Sequence, residues 1–301
     1  METVLITGGT GLVGTHLSEK LKQKGYRVAL LSRSRAKKSD VNIYQWDLEK
    51  REIDKEALDT ADYIVHLAGA NILEKRWTKS RKQLIIDSRV KTANLLFDKI
   101  KESAHKPKAF ISASAIGYYG AVTSEHIFEE TDGPAPGFLG ETCRLWEQAA
   151  DQFTTLNIRT VKIRTSPVLA KDGGALKTMM IPVKLGVASP LGTGQQYMPW
   201  IHIDDLSNIY IKAIEDQKMI GAYNATAPEH KTNKEFMGAL ARAAHKPFRF
   251  PNVPALMMKV VLGELGLAAL NGSRVSSEKI RKAGFIFRFE NLEDALKDLI
   301  G

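Results

Sequence analysis

The sequence predicts an α/β fold: a doubly wound parallel sheet with a smaller C-terminal lobe. Short apolar runs rich in β-branched residues alternate with stretches of helical periodicity over residues 1–165. Several of these runs are apolar throughout, as in strands that helices cover on both faces. Strand–helix alternation implies right-handed crossovers, which wind the chain into a sheet of the Rossmann type.

Six strands and three helices are predicted in the first half of the chain. The strands cover residues 4–7, 28–31, 43–46, 63–67, 109–112 and 158–163, and the helices cover residues 12–24, 80–102 and 139–155. Beyond residue 165, Gly- and Pro-rich loops separate the elements. There the pattern predicts helices at 204–214 and 234–244, a strand at 223–226, and short helices after Pro254.

The composition is that of a globular protein. The chain has 301 residues, of which 44% are hydrophobic and 26% are charged. Cys143 is the only cysteine, which excludes an intrachain disulfide and a multi-cysteine metal centre. The seven histidines are scattered without i,i+4 spacing, so we expect no metal site.

Neither the N-terminal segment nor the most apolar late stretch has the features of a secretion signal or a membrane span. Residues 1–8 lack a charged region, a long apolar region and a cleavage site. The most apolar late stretch, residues 253–270, is interrupted by Lys259 and Glu264. We therefore expect a cytoplasmic protein without a membrane partner.

The net charge of +9 raises the question of an anionic partner. Basic residues are mostly interspersed with acidic ones, and the densest basic run covers residues 75–82. This run either binds phosphate or forms a solvated helix start. Because no nucleic-acid-binding motif accompanies the charge, we expect no nucleic-acid partner.

A glycine-rich turn joins the first strand to the first helix, with the spacing G-x-x-G-x-x-G. In such a turn the first glycine permits the bend, the second lets backbone amides approach a pyrophosphate, and the third lets helix and strand pack closely. The helix N-terminus adds free N–H groups and a positive dipole. The alternative is a turn that is glycine-rich for packing alone. We expect a dinucleotide to bind at Gly8, Thr10, Gly11, Leu12, Val13 and Gly14.

The end of the second strand indicates which dinucleotide binds. NAD-binding sites place a carboxylate there for the ribose 2′-hydroxyl. This chain instead has Ser32 and Arg33, 18 and 19 residues after the last glycine, followed by Arg35, Lys37 and Lys38. An arginine can pair with a 2′-phosphate through two charge-assisted hydrogen bonds. We therefore expect NADP rather than NAD, the alternative being a basic surface loop without a ligand.

These features divide the chain into two predicted parts. Residues 1–165 form an NAD(P)-binding Rossmann domain, to which residues 204–230 return. Residues 166–301 form a smaller substrate lobe, which includes a C-terminal module at residues 248–301.

Several short motifs follow the predicted strands. They are Asp47-Leu48, Leu67-Ala68-Gly69, residues 112–114 and residues 202–206. With the glycine spacing, these motifs resemble the extended short-chain dehydrogenases/reductases, which include UDP-galactose 4-epimerases and sugar-nucleotide dehydratases. The resemblance implies that Asp47 and Leu48 border the adenine, and that the ribose and pyrophosphate are bordered by Leu67, Ala68 and Gly69.

The same resemblance implies two further cofactor positions. Ser88 stands where many members have an asparagine that contacts the cofactor, and Arg164 matches a position near the nicotinamide end. Members of the superfamily are often dimers, so a homodimer is one assembly that the resemblance implies.

Six further segments extend the resemblance over essentially the whole chain. They are residues 75–77, 114–120, 143–147, 192–197, 199–205 and 283–288. These segments resemble an atypical branch of the superfamily, whose members are named nucleoside-diphosphate-sugar epimerases or cell-division inhibitors. The branch carries a C-terminal module of unknown function.

The catalytic pattern of the superfamily is incomplete in this chain. Its enzymes use a tyrosine as general acid/base, a lysine four residues later that lowers the tyrosine pKa, and a Ser or Thr. None of the eight tyrosines here has a lysine at the fourth position after it. In the expected helix, Leu139 takes the tyrosine position and Cys143 the lysine position.

Ser114, Tyr118 and Tyr119 are the catalytic candidates that remain. Ser114 would position the substrate oxygen, and a loop tyrosine would act as the acid, with Arg144 or the cofactor's charge lowering its pKa. The alternative is that both tyrosines pack against protein or substrate. Cys143 is either a nucleophile or a small apolar packing residue.

The second lobe supplies candidates for a substrate pocket, namely Gln196, Trp200 and His202. Aromatic side chains with a few polar groups are typical of such sites. Trp200 and His202 equally fit core positions around a strand. Asp204 and Asp205 are expected to cap the helix that follows.

Two functions are consistent with these residues. The first is an NADP-dependent oxidoreductase or epimerase-like enzyme that exchanges hydride with a carbinol or carbonyl carbon of an unknown small molecule. The alternative is a catalytically silent NADP(H)-binding protein with a regulatory or interaction role. The missing Tyr/Lys pair favours the second hypothesis, whereas Ser114 and the aromatic candidates favour the first.

Overall fold

A computed structural model describes residues 1–34 and 41–301 of the chain. Its strands are β1 (Thr3–Thr7), β2 (Arg27–Ser32), β3 (Asn42–Asp47), β4 (Glu52–Ile53), β5 (Tyr63–His66), β6 (Ala109–Ala115), β7 (Ile127–Phe128), β8 (Arg159–Thr165), β9 (Val168–Ala170), β10 (Ile201–His202), β11 (Gly221–Ala225) and β12 (Arg274–Val275). Its α-helices are α1 (Leu12–Gln23), α2 (Lys55–Asp59), α3 (Lys79–Glu102), α4 (Phe138–Asp151), α5 (Gly174–Lys184), α6 (Ile203–Glu215), α7 (Asn233–Ala243), α8 (Ala255–Leu262), α9 (Glu264–Ala269), α10 (Glu278–Lys282) and α11 (Leu292–Ile300).

Eight strands form one sheet in the order β11-β8-β6-β5-β1-β2-β3-β4. All neighbours are parallel except β3 and β4, which are antiparallel. The chain proceeds from β1 outward through β2 and β3, then crosses back to β5 on the other side of β1. The doubly wound sheet predicted from the sequence is therefore confirmed, and its strand order reverses between β1 and β5.

Successive side chains of β1 enter different cores, which explains why the strand is apolar throughout. Val4 and Ile6 pack on the side of α1 and α6, in a cluster that includes Leu17. Leu5 packs on the opposite side, in a cluster that includes Leu96 of α3. Because side chains of a strand alternate between its two faces, a sheet covered on both sides buries all of them.

A third core holds the C-terminal part of the chain together. Trp200, Phe236 and Leu296 belong to this cluster, which joins α5, α7 and α11. The Asp205 carboxylate of α6 accepts hydrogen bonds from the backbone N–H groups of Arg288 and Phe289, at 2.9 and 3.0 Å. The chain leading into α11 is thereby fastened to a helix that covers the main sheet. The division of the chain at residue 165 stays a prediction.

Each edge of the sheet is protected in a different way. On one side, the two-residue strand β4 runs antiparallel to β3. On the other side, side chains engage the outer backbone of β11: Lys279 donates to the Ala222 carbonyl at 2.7 Å, and Glu130 accepts from the Asn224 N–H at 2.7 Å.

The structure also contains elements that the sequence pattern does not predict. They are α2, α5, β4 and the short pairs β9–β10 and β7–β12. The eleven-residue helix α5 follows a Gly-Gly pair and contains Pro182, both of which are typical of loops. The other elements have two to five residues, which are too few to display a periodicity. The helix predicted over 139–155 ends at Asp151 and continues as a 3₁₀ turn to Asn157, whose φ is +57°. None of the helices in the described ranges has the length and apolar character needed to cross a bilayer.

Candidate functional site

The glycine turn after β1 has no room for a side chain at Gly8 or Gly14. Gly8 has φ +69°, and a Cβ there would lie 2.9 Å from the Leu67 carbonyl carbon. A Cβ on Gly14 would lie 2.5 Å from the Gly8 carbonyl oxygen. Gly11 precedes α1 without a side-chain cap, and the first helical turn has no acidic residue. The first-turn N–H groups therefore meet the requirements for a bound pyrophosphate.

His66 connects this turn to its neighbouring loop, and sequence reasoning missed it. The Thr7 hydroxyl accepts from the Ala68 N–H at 3.2 Å and lies 2.8 Å from His66 Nδ1. Thr92 donates to the Ser88 carbonyl at 2.8 Å, so it accepts from His66 Nε2 at 3.2 Å. Burial lowers the pKa of His66 to about 4, so the ring is neutral. A polar residue in the apolar strand β5 is the signal that could have revealed it.

Ser88 supports the loop after β5 from α3. Its hydroxyl accepts from the Ala70 N–H at 2.9 Å and donates to the Ile85 carbonyl at 3.0 Å. Ala68 and Gly69 are thus held between α3 and the glycine turn. The structure brings these predicted cofactor residues together, while their contacts with a cofactor stay a prediction.

The predicted adenine end is an open surface at the tips of β2 and β3. Asp47 accepts from the backbone N–H groups of Glu49 and Lys50 at 2.9 and 3.0 Å, and these bonds lower the pKa of its carboxyl group. Leu48 is half-buried and Arg33 is exposed. The Ser32 hydroxyl accepts from the Ser34 N–H at 3.4 Å. The basic positions Arg35, Lys37 and Lys38 lie outside the described residues.

A buried ion pair lies beneath Ser114. The Ser114 hydroxyl donates to Glu147 Oε1 at 2.7 Å. Arg164 meets the same carboxylate with two bonds, Nε to Oε1 at 2.8 Å and Nη2 to Oε2 at 2.9 Å. The side chains of Arg164 and Glu147 are only 4% and 6% exposed. The structure thus pairs Arg164 with Glu147. The sequence analysis did not identify Glu147 as a site residue. An acidic residue on the apolar face of α4 is the signal that could have revealed it.

The two candidate tyrosines have different environments. Tyr119 is fully buried; its hydroxyl donates to Asn224 Oδ1 at 2.8 Å and accepts from Arg164 Nη1 at 2.8 Å. Burial raises the pKa of Tyr119 strongly. Tyr118 is only partly buried, and its ring lies 3.6 Å from the Arg164 guanidinium carbon. Arg144 pairs instead with Glu141, at 2.6 and 2.7 Å.

Cys143 is a packing residue in this structure. Its thiol is buried, and a Cβ on Gly117 would lie 3.6 Å from its sulfur. Burial raises the pKa of Cys143 to about 12, so the reactive thiolate is absent at neutral pH.

The three substrate candidates lie inside the C-terminal part of the chain. Gln196, Trp200 and His202 are each no more than 2% exposed. Gln196 donates to the carbonyl oxygens of Leu191 and Ala269, at 3.1 and 3.3 Å. His202 accepts from the Asp204 N–H at 3.1 Å, which makes it the cap of α6, and its ring packs 3.9 Å from Phe289. No hydrogen bond, ion pair or ring contact among the described residues joins these three side chains to the Ser114 cluster.

The basic run at residues 75–82 forms the start of α3. Thr78 caps this helix by accepting from the Arg81 N–H at 3.2 Å. Arg81 pairs with Glu74 at 3.0 Å, and Lys82 pairs with Glu264 at 2.5 Å. This geometry favours the solvated helix start over a phosphate site.

The glycine turn lies at the carboxyl end of β1, where the strand order reverses, and the Ser114 cluster lies near the carboxyl ends of β6 and β8. Together they define a dinucleotide-binding α/β protein of the doubly wound class. Residues 4–226 match the NAD dependent epimerase/dehydratase family, and residues 253–299 match a domain of unknown function (DUF1731). The chain therefore belongs to the NAD dependent epimerase/dehydratase family, which confirms the resemblance in its motifs.

Individual relatives agree with this assignment along the full chain. An epimerase family protein of Staphylococcus haemolyticus is 38% identical over 301 residues, which is 100% of this chain and 99% of the relative. The human epimerase family protein SDR39U1 (isoform 2), solved with NADPH, is 31% identical over 99% of each chain, with a TM-score of 0.89. A nucleoside-diphosphate sugar epimerase of Corynebacterium glutamicum is 30% identical and has a TM-score of 0.80, over 99% of this chain and 58% of that protein.

Proposed function

We propose that the protein is an NADP(H)-dependent oxidoreductase or epimerase-like enzyme that acts at a carbinol or carbonyl carbon of a small molecule. The position of the Ser114–Glu147–Arg164 cluster carries this proposal. Ser114 and Arg164 are register partners on β6 and β8, on the same edge of the sheet as the glycine turn. A bound nicotinamide would supply the hydride chemistry at this edge.

The end of β2 supports NADP over NAD. Ser32 and Arg33 occupy the position where a carboxylate would repel a 2′-phosphate. The Arg33 guanidinium makes no hydrogen bond or ion pair within the described ranges, so its forked donors are available to a phosphate. The NADPH in the human relative supports the same choice.

Ser114 is held as an acceptor for a substrate hydroxyl. Its own proton is donated to Glu147 at 2.7 Å, which leaves the oxygen lone pairs for another donor. Glu147 is in turn oriented by the two bonds from Arg164. The ion pair thus acts as a positioning device for the Ser114 oxygen.

Tyr118 is the proton donor in this proposal. It lies on the 3₁₀ turn at Ile116–Tyr119, directly after β6, and is more accessible than Tyr119. Burial raises the pKa of Tyr118, and the neighbouring Arg164 charge opposes that rise. The hydroxyl is therefore protonated at neutral pH, as an acid for carbonyl reduction must be.

A catalytically silent NADP(H)-binding protein is the second candidate. The absence of a Tyr/Lys pair and the buried state of Tyr119 favour it. In that case the glycine turn would serve cofactor sensing, and the surfaces of the C-terminal part would serve a protein partner.

Cofactor titration followed by a turnover screen separates these candidates. NADPH and NADH are titrated against tryptophan fluorescence, and a panel of ketones, aldehydes and nucleotide sugars is then screened for NADPH oxidation. Tyr118→Phe is expected to lower turnover by about a hundredfold or more without changing the NADPH affinity. Tyr26→Phe, at the amino end of β2, is the matched control and should retain full turnover.

Each result decides one part of the proposal. Absence of NADPH binding by the wild-type protein contradicts the cofactor assignment. NADPH binding without turnover across the panel favours the silent protein. Turnover that survives Tyr118→Phe refutes the acid assignment while leaving the oxidoreductase proposal in place.

The proposal also covers the division of the chain into domains, its location in the cell and its assembly. We assign the cofactor to residues 1–165 with 204–230, and the substrate to residues 166–301. A cytoplasmic location and a homodimeric assembly belong to the same proposal. Size-exclusion chromatography with light scattering tests the assembly directly.

A further inference from the structure

Arg89 of α3 is a half-buried cation without a carboxylate partner among the described residues. Its Nη1 group donates to the carbonyl oxygens of Ala70 and Ile85, at 3.1 and 2.9 Å. Burial lowers the pKa of Arg89 to about 10, so the guanidinium still carries its charge at neutral pH. Because no carboxylate among the described residues takes up its donors, this cation keeps hydrogen-bonding groups that a ligand can use.

The remaining donors of Arg89 are open. Nε and Nη2 have no acceptor within residues 1–34 and 41–301, and neither belongs to the buried side-chain atoms that lack a partner. These two groups therefore reach solvent. Together they form one side of the guanidinium fork, which can bind two adjacent oxygens.

The position of the Arg89 guanidinium indicates which part of a bound dinucleotide it would contact. A Cβ on Gly69 would lie 3.0 Å from the Arg89 guanidinium carbon, so the charge lies against the loop beside the glycine turn. The same guanidinium carbon lies 4.8 Å from the Trp146 ring, on α4. Arg89 is also a neighbour of Cys143, which occupies the position of the missing lysine. Arg89 thus lies between the phosphate turn and the helix that carries Glu147.

We infer that Arg89 binds the vicinal hydroxyls of the nicotinamide-side ribose and supplies, from α3, the cation that α4 lacks at Cys143. This inference rests on the proposed cofactor binding. In a dinucleotide, the nicotinamide-side ribose lies between the pyrophosphate and the reacting ring. In the protein, Arg89 lies between the glycine turn and the Ser114 cluster, so its position corresponds to that of this ribose. Arg89 is a positioning residue for the ring in this role.

The test uses three ligands of increasing length and does not depend on turnover. Affinities for 2′,5′-ADP, 2′-phospho-ADP-ribose and NADPH are measured by calorimetry on the full chain. Arg89→Met is expected to weaken the two ligands that contain the second ribose by about tenfold or more and to leave 2′,5′-ADP unchanged. Arg89→Lys retains the charge without the fork and should fall between. Arg159→Met, which removes an arginine bonded only to backbone carbonyls near α6, should bind all three ligands normally.

A charge-relocation variant strengthens the test. Arg89→Met combined with Cys143→Lys moves the cation to α4 and is expected to recover part of the NADPH affinity. Unchanged NADPH binding by Arg89→Met overturns the inference, and so does an equal loss for 2′,5′-ADP, which would show a role in loop structure. Absence of NADPH binding by the wild-type protein, in contrast, refutes the proposed function itself.

Discussion

Ser114 and Arg164 face each other in register on adjacent parallel strands and bind the same oxygen of one carboxylate. Ser114 Oγ and Arg164 Nε lie 2.7 and 2.8 Å from Glu147 Oε1. The Glu147 side chain of α4 thus connects the neighbouring strands β6 and β8. The orientation of the Ser114 hydroxyl depends on this ion pair.

Loss of Glu147 should destabilise the protein strongly. In Glu147→Leu, Arg164 keeps a buried charge without its partner, which costs about 3–5 kcal/mol in the free energy of unfolding. The double variant Glu147→Leu/Arg164→Leu should cost less than the sum of the two single changes. Urea unfolding measures all of these values.

The matched control is an ion pair on the surface. Arg242 and Glu293 lie 2.9 Å apart with side chains 68% and 57% exposed. Glu293→Leu should change the stability by less than about 1 kcal/mol. A similar, small cost for Glu147→Leu would contradict the role assigned to the buried pair.

His66 should make the folded state sensitive to mild acid. Its pKa is about 4 in the folded protein and about 6.5 when unfolded, so between these pH values the unfolded chain binds the proton and the folded chain does not. Stability present above pH 6.5 is therefore lost as the pH falls, by about 2 kcal/mol between pH 7 and pH 5.

Urea unfolding of the wild type and of His66→Asn at both pH values isolates this effect. All other titrating groups contribute equally to the pH dependence of stability in the wild type and in His66→Asn. The difference between the two proteins in how stability changes with pH is therefore due to His66. Parallel slopes would show that the ring is not held neutral by its burial.

Gly14→Ala should weaken cofactor binding by distorting the phosphate turn. The new Cβ would lie 2.5 Å from the Gly8 carbonyl oxygen, so the turn and α1 must separate. We expect NADPH affinity to fall by about tenfold or more. Gly25→Ala is the control: its φ is +85° but nothing lies within 4 Å, so it should cost about 1 kcal/mol of stability and no affinity. Equal affinity of Gly14→Ala and wild type would exclude the turn as the phosphate site.

Arg33→Ala should remove the preference for NADPH. A charge-assisted hydrogen bond to the 2′-phosphate is worth about tenfold to a hundredfold in affinity. NADPH binding should weaken by that factor, whereas NADH binding should not change. Arg51→Ala, which removes an exposed arginine paired with Asp98, is the control. A wild-type protein that binds both cofactors equally would sink the assignment of Arg33.

The strands and the glycine turn were predictable because their signals are local. Val4 to Thr7 form a buried run next to a turn whose glycines have fixed spacing, and neither depends on distant residues. The pairing of Ser114 with Arg164 is different, since it depends on the register of strands that are separated by a whole helix. Because both faces of these strands are covered, their hydrophobic pattern does not fix the register between them.

The two tyrosines show the same limit at short range. Tyr118 and Tyr119 are adjacent on a 3₁₀ turn and both rings lie near Arg164. The Tyr119 hydroxyl is buried between Arg164 and Asn224, whereas Tyr118 stays partly open. No residue pattern in the sequence distinguishes them. Burial of Trp200 and His202 likewise follows from α11, which lies almost a hundred residues further along the chain and packs into the same core.

The protected edges of the main sheet restrict how this chain can aggregate or assemble. An open edge strand offers unpaired backbone groups to a strand of another molecule. Here an incoming strand would have to displace Lys279 and Glu130 from β11, or to continue beyond the two-residue strand β4. Intermolecular β-pairing is therefore disfavoured at both ends of the sheet, and two copies would meet through helices and loops.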